Sequence, residues 1–232
     1  MASRAGLDGP PGYATALALA LVLLAATPSA AQLPQPGPPG PYVIDVRGAT
    51  GGFPKDESFF PPVPSGTIVP SRGFGIDLGG HVYPMRIGPA RLGFGVNLVR
   101  VRHSTSPPTT DAAPTSPPTQ RTIPDVAATL TLIAPQVSFN FGNAEGWSFL
   151  SGGLGFAEVT TASSGTLTPA TRGSGRLSSI NVGFGARWFR NRHVAFAFDV
   201  RFHMVKGAPQ PIPRVGTPKI TLVVAAVGMS LR

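Results

Sequence analysis

His103 stands in the run RHSTS, followed by Ser104, Thr105 and Ser106. An imidazole beside hydroxyls is the material of acyl chemistry. The ring takes the hydroxyl proton, and a carboxylate must hold the ring in the right tautomer. Asp111 and Asp125 are the carboxylates nearest in sequence, and neither spacing places one against His103. His81 and His203 could meet a metal, but two distant histidines without a carboxylate cluster make a poor metal site. Hydrogen-bonded roles are expected for both, with no metal and no cofactor. The chain has no cysteine, which excludes disulfides, thiol catalysis and cysteine metal sites.

The remaining charges are sparse. Only 12% of the 232 residues are charged, yet the net charge is +9. No basic stripe with interleaved aromatics appears, so no nucleic-acid partner is expected. An anionic partner of another kind fits the balance.

The elements that must position these charges follow from period-two alternation. Eight segments carry it: 42–50, 73–83, 91–101, 131–142, 147–159, 178–190, 193–205 and 220–232. Most have the length a tilted strand needs to cross a bilayer, about 9–11 residues. Their connections alternate. PMRIGPA, NAEG and NR are short; 51–72, 102–130, 160–177 and 206–219 are long and rich in Pro, Ser, Thr and Gly. In the second long connection TSPPT occurs twice, at 105–109 and 115–119.

Each strand has two faces. In 193–205, Val194, Phe196, Phe198, Val200, Phe202 and Met204 oppose Ala195, Ala197, Asp199, Arg201 and His203. In 178–190, Ile180, Val182, Phe184, Ala186 and Trp188 oppose Asn181, Gly183, Gly185 and Arg187. Phe74, Ile76, Leu78 and Val82 oppose Gly75, Asp77, Gly79 and His81; Tyr42, Ile44 and Val46 oppose Asp45 and Arg47. A soluble sandwich would bury the Phe face, and a membrane barrel would turn it to lipid. The polar face is poor in Lys and Glu and rich in small residues. That suits a narrow lumen filled by side chains. The lumen network is read as Asp45, Arg47, Asp77, His81, Asn97, Asn181, Arg187, Asp199, Arg201 and His203, with Gly183 and Gly185 leaving space for large inward groups such as Arg187. Trp147, Phe149, Trp188 and Phe189 lie beside short turns, where an aromatic girdle would sit. In the fourth segment Leu130 and Leu132 have the opposite parity to Val137, Phe139 and Phe141, and Pro135 interrupts the run. A bulge near Ala134–Pro135 is expected.

The chain starts like a secretory signal. Arg4 precedes the apolar run ATALALALVLLAA at 14–26, Pro28 breaks it, and small residues end at Ala31. A run that short does not span as a helix, which needs about 20 residues. The reading is a signal peptide over 1–31, a Pro-rich spacer over 32–41 and a barrel over 42–232.

In these features the chain resembles the OmpA/OmpX-like small outer-membrane β-barrel family. The likeness is one of architecture, over 42–232. It implies an all-β, eight-stranded antiparallel up-and-down transmembrane β-barrel. It also implies a location in the cell outer membrane, delivery by the barrel-assembly machinery and a monomeric state. No peptidoglycan-binding domain is expected after the barrel. The family's last strand usually ends in Phe or Trp; here Val223, Ala225, Val227, Met229 and Leu231 keep the alternation, but the end is Leu-Arg. Lipid A deacylase barrels pair a His and a Ser two residues apart, and the RHSTS spacing differs. The expected function is a structural or surface-interaction role with a plugged polar lumen and no catalysis. The alternatives are a lipid-modifying barrel enzyme and a soluble periplasmic β-sandwich or lipocalin-like binder. Arg100, Arg102, Arg172, Arg176, Lys206, Arg214 and Lys219 fall at the long-loop end, where they would meet outer-membrane lipid and the phosphates of lipopolysaccharide.

Overall fold

Every alternating segment forms a strand. The computed structural model describes residues 40–64, 66–106, 124–143, 145–164, 169–208 and 216–232. The strands are β1 (Tyr42–Gly52), β2 (Arg72–Ile87), β3 (Ala90–Thr105), β4 (Asp125–Gly142), β5 (Gly146–Ser164), β6 (Ala170–Gly173), β7 (Leu177–Phe189), β8 (Val194–Val205) and β9 (Ile220–Leu231). All neighbours are antiparallel. The order runs β4-β3-β2-β1-β9-β8-β7-β5, and the β4–β5 pairing closes the ring. Eight strands therefore make the wall. The short β6 lies outside the ring and pairs only with Thr160–Ser163 of β5. The expected signal peptide (1–31), nearly all of the expected spacer (32–41) and most of the TSPPT repeat lie outside the described residues.

Local chemistry explains the short turns. Between β4 and β5, the Asn143 side-chain oxygen accepts from the amides of Glu145 (2.9 Å) and Gly146 (3.3 Å). Between β7 and β8, Asn191 accepts from His193 (2.9 Å) and Val194 (2.8 Å). Asparagine does this readily and so closes tight turns. Between β2 and β3 the turn is Gly88-Pro89, with Gly88 at φ +57°. That conformation suits glycine. Here the strands reach further than the alternation suggests, because the pairing resumes past an irregularity between Val82 and Met85. Pro84, which has no N–H to give to a ladder, occupies it.

The expected bulge at Ala134–Pro135 is absent. Ile133 pairs with Phe156 and Val137 with Gly152, so the register is the same on both sides of the proline. The β4–β5 ladder is interrupted at Pro135, while β3–β4 runs through it. Parity is continuous along β4: Val126, Ala128, Leu130, Leu132, Ala134, Gln136, Ser138 and Asn140 all face inward and are buried. The apparent switch reflects a lumen that changes from apolar to polar along the strand. Opposite the gap, a side chain on Gly153 would begin 1.9 Å from the Pro135 carbonyl oxygen. Gly153→Ala should therefore destabilise the barrel by about 1–3 kcal/mol through overpacking. Urea unfolding in detergent micelles checks this, with Gly80→Ala, whose added methyl meets nothing within 4 Å, as the neutral control.

The outer face is an apolar band. Ile44, Val46, Ile76, Leu78, Val96, Leu98, Val137, Phe139, Leu150, Val182, Phe184, Phe196, Phe202 and Val227 are among its exposed members. Trp188 joins the band and stacks on Phe196 (5.9 Å) and Phe198 (5.7 Å). Trp147 and Phe149 do not. Both are buried in the lumen beside Val43 and Tyr83. Phe189 is partly buried against Trp147, at 5.0 Å. The girdle reading fails for this pair because they sit opposite the inward-facing Arg187 and Gly185 on β7. Gly185 makes room for the Phe149 ring, which a side chain at 185 would meet at 2.6 Å. Gly183 does the same for Arg201, at 3.0 Å.

Candidate functional site

The structure places all ten residues of the expected lumen network inside the barrel, each at most 4% exposed. They form a layer across its middle. Arg187 of β7 reaches over the lumen to Asp45 of β1 with two bonds: Nε to Oδ1 at 3.0 Å and Nη2 to Oδ2 at 2.6 Å. This bidentate geometry is the strongest form of such a pair. The Ser230 hydroxyl donates to the same carboxylate. His81 Nδ1 lies 3.4 Å from Asp45 Oδ2. The Arg187 guanidinium also rests 4.5 Å above the Phe149 ring, a favourable cation–π arrangement.

Arg47 links the rest. Its Nη2 is 2.9 Å from Asp77 Oδ2 and 3.9 Å from Asp45 Oδ2, and its Nη1 is 4.0 Å from Asp199 Oδ2. Arg201 binds Asp199 at 2.9 Å and donates to Asn181 Oδ1 at 2.8 Å. Asn97 donates to Asp77 (3.1 Å), and Gln136 donates to Asn97 (2.7 Å) while its Nε2 lies 2.8 Å from His81 Nε2. Three buried arginines face three buried aspartates, so the layer is neutral. His203 is buried in the same lumen, and among the described residues its ring nitrogens find no hydrogen-bond partner. Two members escaped the sequence reading. Ser230 was available from the parity of Met229 and Leu231. Gln136 was hidden by the supposed bulge.

The lumen's buried charges are confined to this middle layer among the described residues. Toward the loop end the inward residues are mostly apolar: Val99, Val101, Val126, Leu130, Leu132, Val159, Leu222 and Val224. The connection after β1 folds over them and buries Phe53, Phe59 and Phe60. It is held from the wall and from β6. Thr161 donates to the Phe59 carbonyl (2.6 Å), Arg172 to the Ser58 carbonyl (2.9 Å) and Thr105 to the Ile68 carbonyl (2.6 Å). The segment also carries a one-turn helix, Glu57–Phe59, capped by Asp56. Hydrogen bonds from the Ser58 hydroxyl and amide hold the Asp56 carboxyl below its ordinary range.

Among the described residues, the acyl-chemistry candidates are not assembled. His103 faces the same side as Thr105, whereas Ser104 shares the exposed face of Arg102. Thr105 is committed to the Ile68 and Val126 carbonyls. Asp125 starts β4 opposite Ser164, and Asp111 lies outside the described residues. Among the described residues, no three His, Asp or Glu side chains cluster as metal ligands.

Of the basic loop-end residues, Arg100 and Arg102 point outward from β3 and are exposed. Arg176, Lys206 and Lys219 are exposed on connections. Arg172 differs: it is partly buried and holds the Ser58 carbonyl. Arg214 lies outside the described residues.

No family model matches the sequence, and no curated protein does. Solved structures do. Ail, the attachment invasion locus protein of Yersinia pestis, in complex with the heparin analogue sucrose octasulfate, aligns with a TM-score of 0.50 at 11% identity. The alignment covers 82% of this chain and 96% of Ail. Neisserial surface protein A gives 0.48 at 11% identity, covering 83% and 97%. The N-terminal β-barrel domain of Pseudomonas aeruginosa OprF gives 0.37 at 10%, covering 82% and 96%. The closed ring of eight antiparallel strands, its outward apolar band and the likeness to Ail give this chain the fold of the small OmpA/OmpX-like outer-membrane β-barrels.

Proposed function

We propose that the protein is a non-catalytic barrel of the cell outer membrane, with a structural or surface-interaction role and a lumen plugged by its own side chains. The observation that carries this is the neutral Arg/Asp layer, roofed by the Phe53–Phe60 segment. Eight strands enclose space for side chains and little else. On this reading 1–31 is a signal peptide that is removed, 32–41 is a spacer, and the assembly machinery inserts a monomer. The exposed cations Arg100, Arg102, Arg176, Lys206 and Lys219 meet lipopolysaccharide phosphates, with Arg214 as a further contact and Arg172 as a brace for the roof. Ail, captured with a sulfated sugar, is a precedent for anion binding on this fold. The ten lumen residues serve stability rather than chemistry.

Fractionation tests the placement. The protein should sediment with outer membranes and run faster on gels unboiled than boiled. Recovery as a detergent-free soluble protein would favour a periplasmic binder instead. Topology has its own test. Protease added to intact cells should cut between β3 and β4 and spare Gly88-Pro89 and the Asn143 turn. The opposite pattern would invert the orientation.

A further inference from the structure

The lipid-facing wall is not uniformly packed. A groove of about 450 Å³ crosses β2, β1, β9 and β8, with Phe74, Thr50, Ala225, Val227, Phe198 and Val200 among its lining residues. Its floor is recessed because the outward residues there are small: Gly48, Thr50 and Ala225. Gly48 is not required by the fold. A methyl group there would meet only the Val227 carbonyl oxygen, at an ordinary 3.8 Å. By contrast, one at Gly75 would collide with the Arg100 carbonyl oxygen at 1.9 Å. Close packing does not demand a glycine at residue 48, and its small size leaves the outer groove open.

The strand register joins this groove to two cations. One row of outward residues reads Arg102, Phe74, Thr50, Ala225, Val200; the next reads Arg100, Ile76, Gly48, Val227, Phe198. Neither guanidinium has an ion-pair partner among the described residues. Arg100 and Arg102 lie near the loop end of β3, whereas Phe198 lies near the turn end of β8. Because barrel strands are tilted, the rows slope from the cations at the loop end down into the apolar band. From Phe74 to Val200 they cross three inter-strand spacings, about 14 Å, the length of most of a lipid acyl chain. Two guanidiniums on one face at i and i+2, about 7 Å apart, can bracket a single phosphate dianion.

We infer that this wall holds one phosphorylated glycolipid of the lipid A class, its phosphomonoester on Arg100 and Arg102 and one acyl chain in the Gly48–Ala225 groove. The inference rests on the lipopolysaccharide reading above and adds the groove to it. The cations and the groove act together, since a lipid anchored at its phosphate hangs its chain down the same rows.

The test uses the purified full chain in detergent micelles, with native mass spectrometry. The probes are bis-phosphorylated lipid A, dephosphorylated lipid A and phosphatidylglycerol. Filling the groove with Gly48→Leu and Ala225→Leu should leave heat-modifiable folding intact and weaken lipid A binding roughly tenfold by excluding methylenes. Arg100→Gln with Arg102→Gln should weaken lipid A binding at least roughly tenfold and abolish the preference over the dephosphorylated form. If the filled variant fails to fold, Gly48→Ala with Ala225→Val replaces it and should give a smaller loss. Wild-type binding by the filled variant, with loss in the arginine variant, overturns the groove and spares the lipopolysaccharide reading. Wild-type binding by both variants overturns the two together. Equal binding of phosphatidylglycerol overturns the assignment to lipid A.

Discussion

Asp45→Ala should lower the unfolding free energy by about 3–5 kcal/mol, because it strands a buried cation. Arg187 is 1% exposed and loses both bonds to the carboxylate. Its Nε retains only Ser230, at 3.2 Å. His81 and Arg47 lose the same neighbour. Asp45→Asn should also destabilise, since it keeps the shape but not the charge. The decisive control is the double variant Asp45→Ala with Arg187→Met. Removing both charges should recover much of the loss, since replacing a whole buried pair by apolar groups is often neutral or better. Urea titrations in micelles, analysed as a double-mutant cycle, measure this. A double variant as unstable as the sum of the singles would mean that the pair is not coupled.

Phe184→Arg should cost about 2–4 kcal/mol if the outward face meets lipid at mid-membrane. Phe184 lies near the centre of β7, exposed, with Leu150 and Val200 beside it on the same face. Arg187, on the opposite face of the same strand, is tolerated because Asp45 meets it. Position in the strand thus matters less than parity. Refolding into phospholipid vesicles gives the measurement, with Phe184→Leu as the near-neutral control. If the arginine variant folds as well as the wild type in vesicles, the outward band does not face hydrocarbon.

These expectations show why the fold was readable. Alternation in strands such as Val194–Val205 is dictated by two different solvents, and a one-residue slip would invert every side chain. Closure and the short turns followed from the spacing; that Asn143 and Asn191 close two of those turns came from the structure. The reading failed where composition changed along a single face. Leu130 and Leu132 resemble lipid-facing residues by type, yet they line an apolar upper lumen. Trp147 and Phe149 resemble girdle aromatics, yet they fill the lower lumen, one of them over Gly185. Their placement depends on cross-barrel partners, which no local pattern encodes. The same holds for Arg172: a loop cation by position, it became a brace through Ser58, 114 residues away in sequence. Nothing in the run GFPKDESFF announced that Phe53, Phe59 and Phe60 would fold over the barrel mouth.

The central claim is that this barrel is closed by its own side chains. Planar-bilayer recording of the purified full chain tests it most directly. The account predicts a silent membrane, with no reproducible single-channel steps at either polarity. Steady, reproducible conductance from the wild-type protein would contradict the plug and make transport the function to explain.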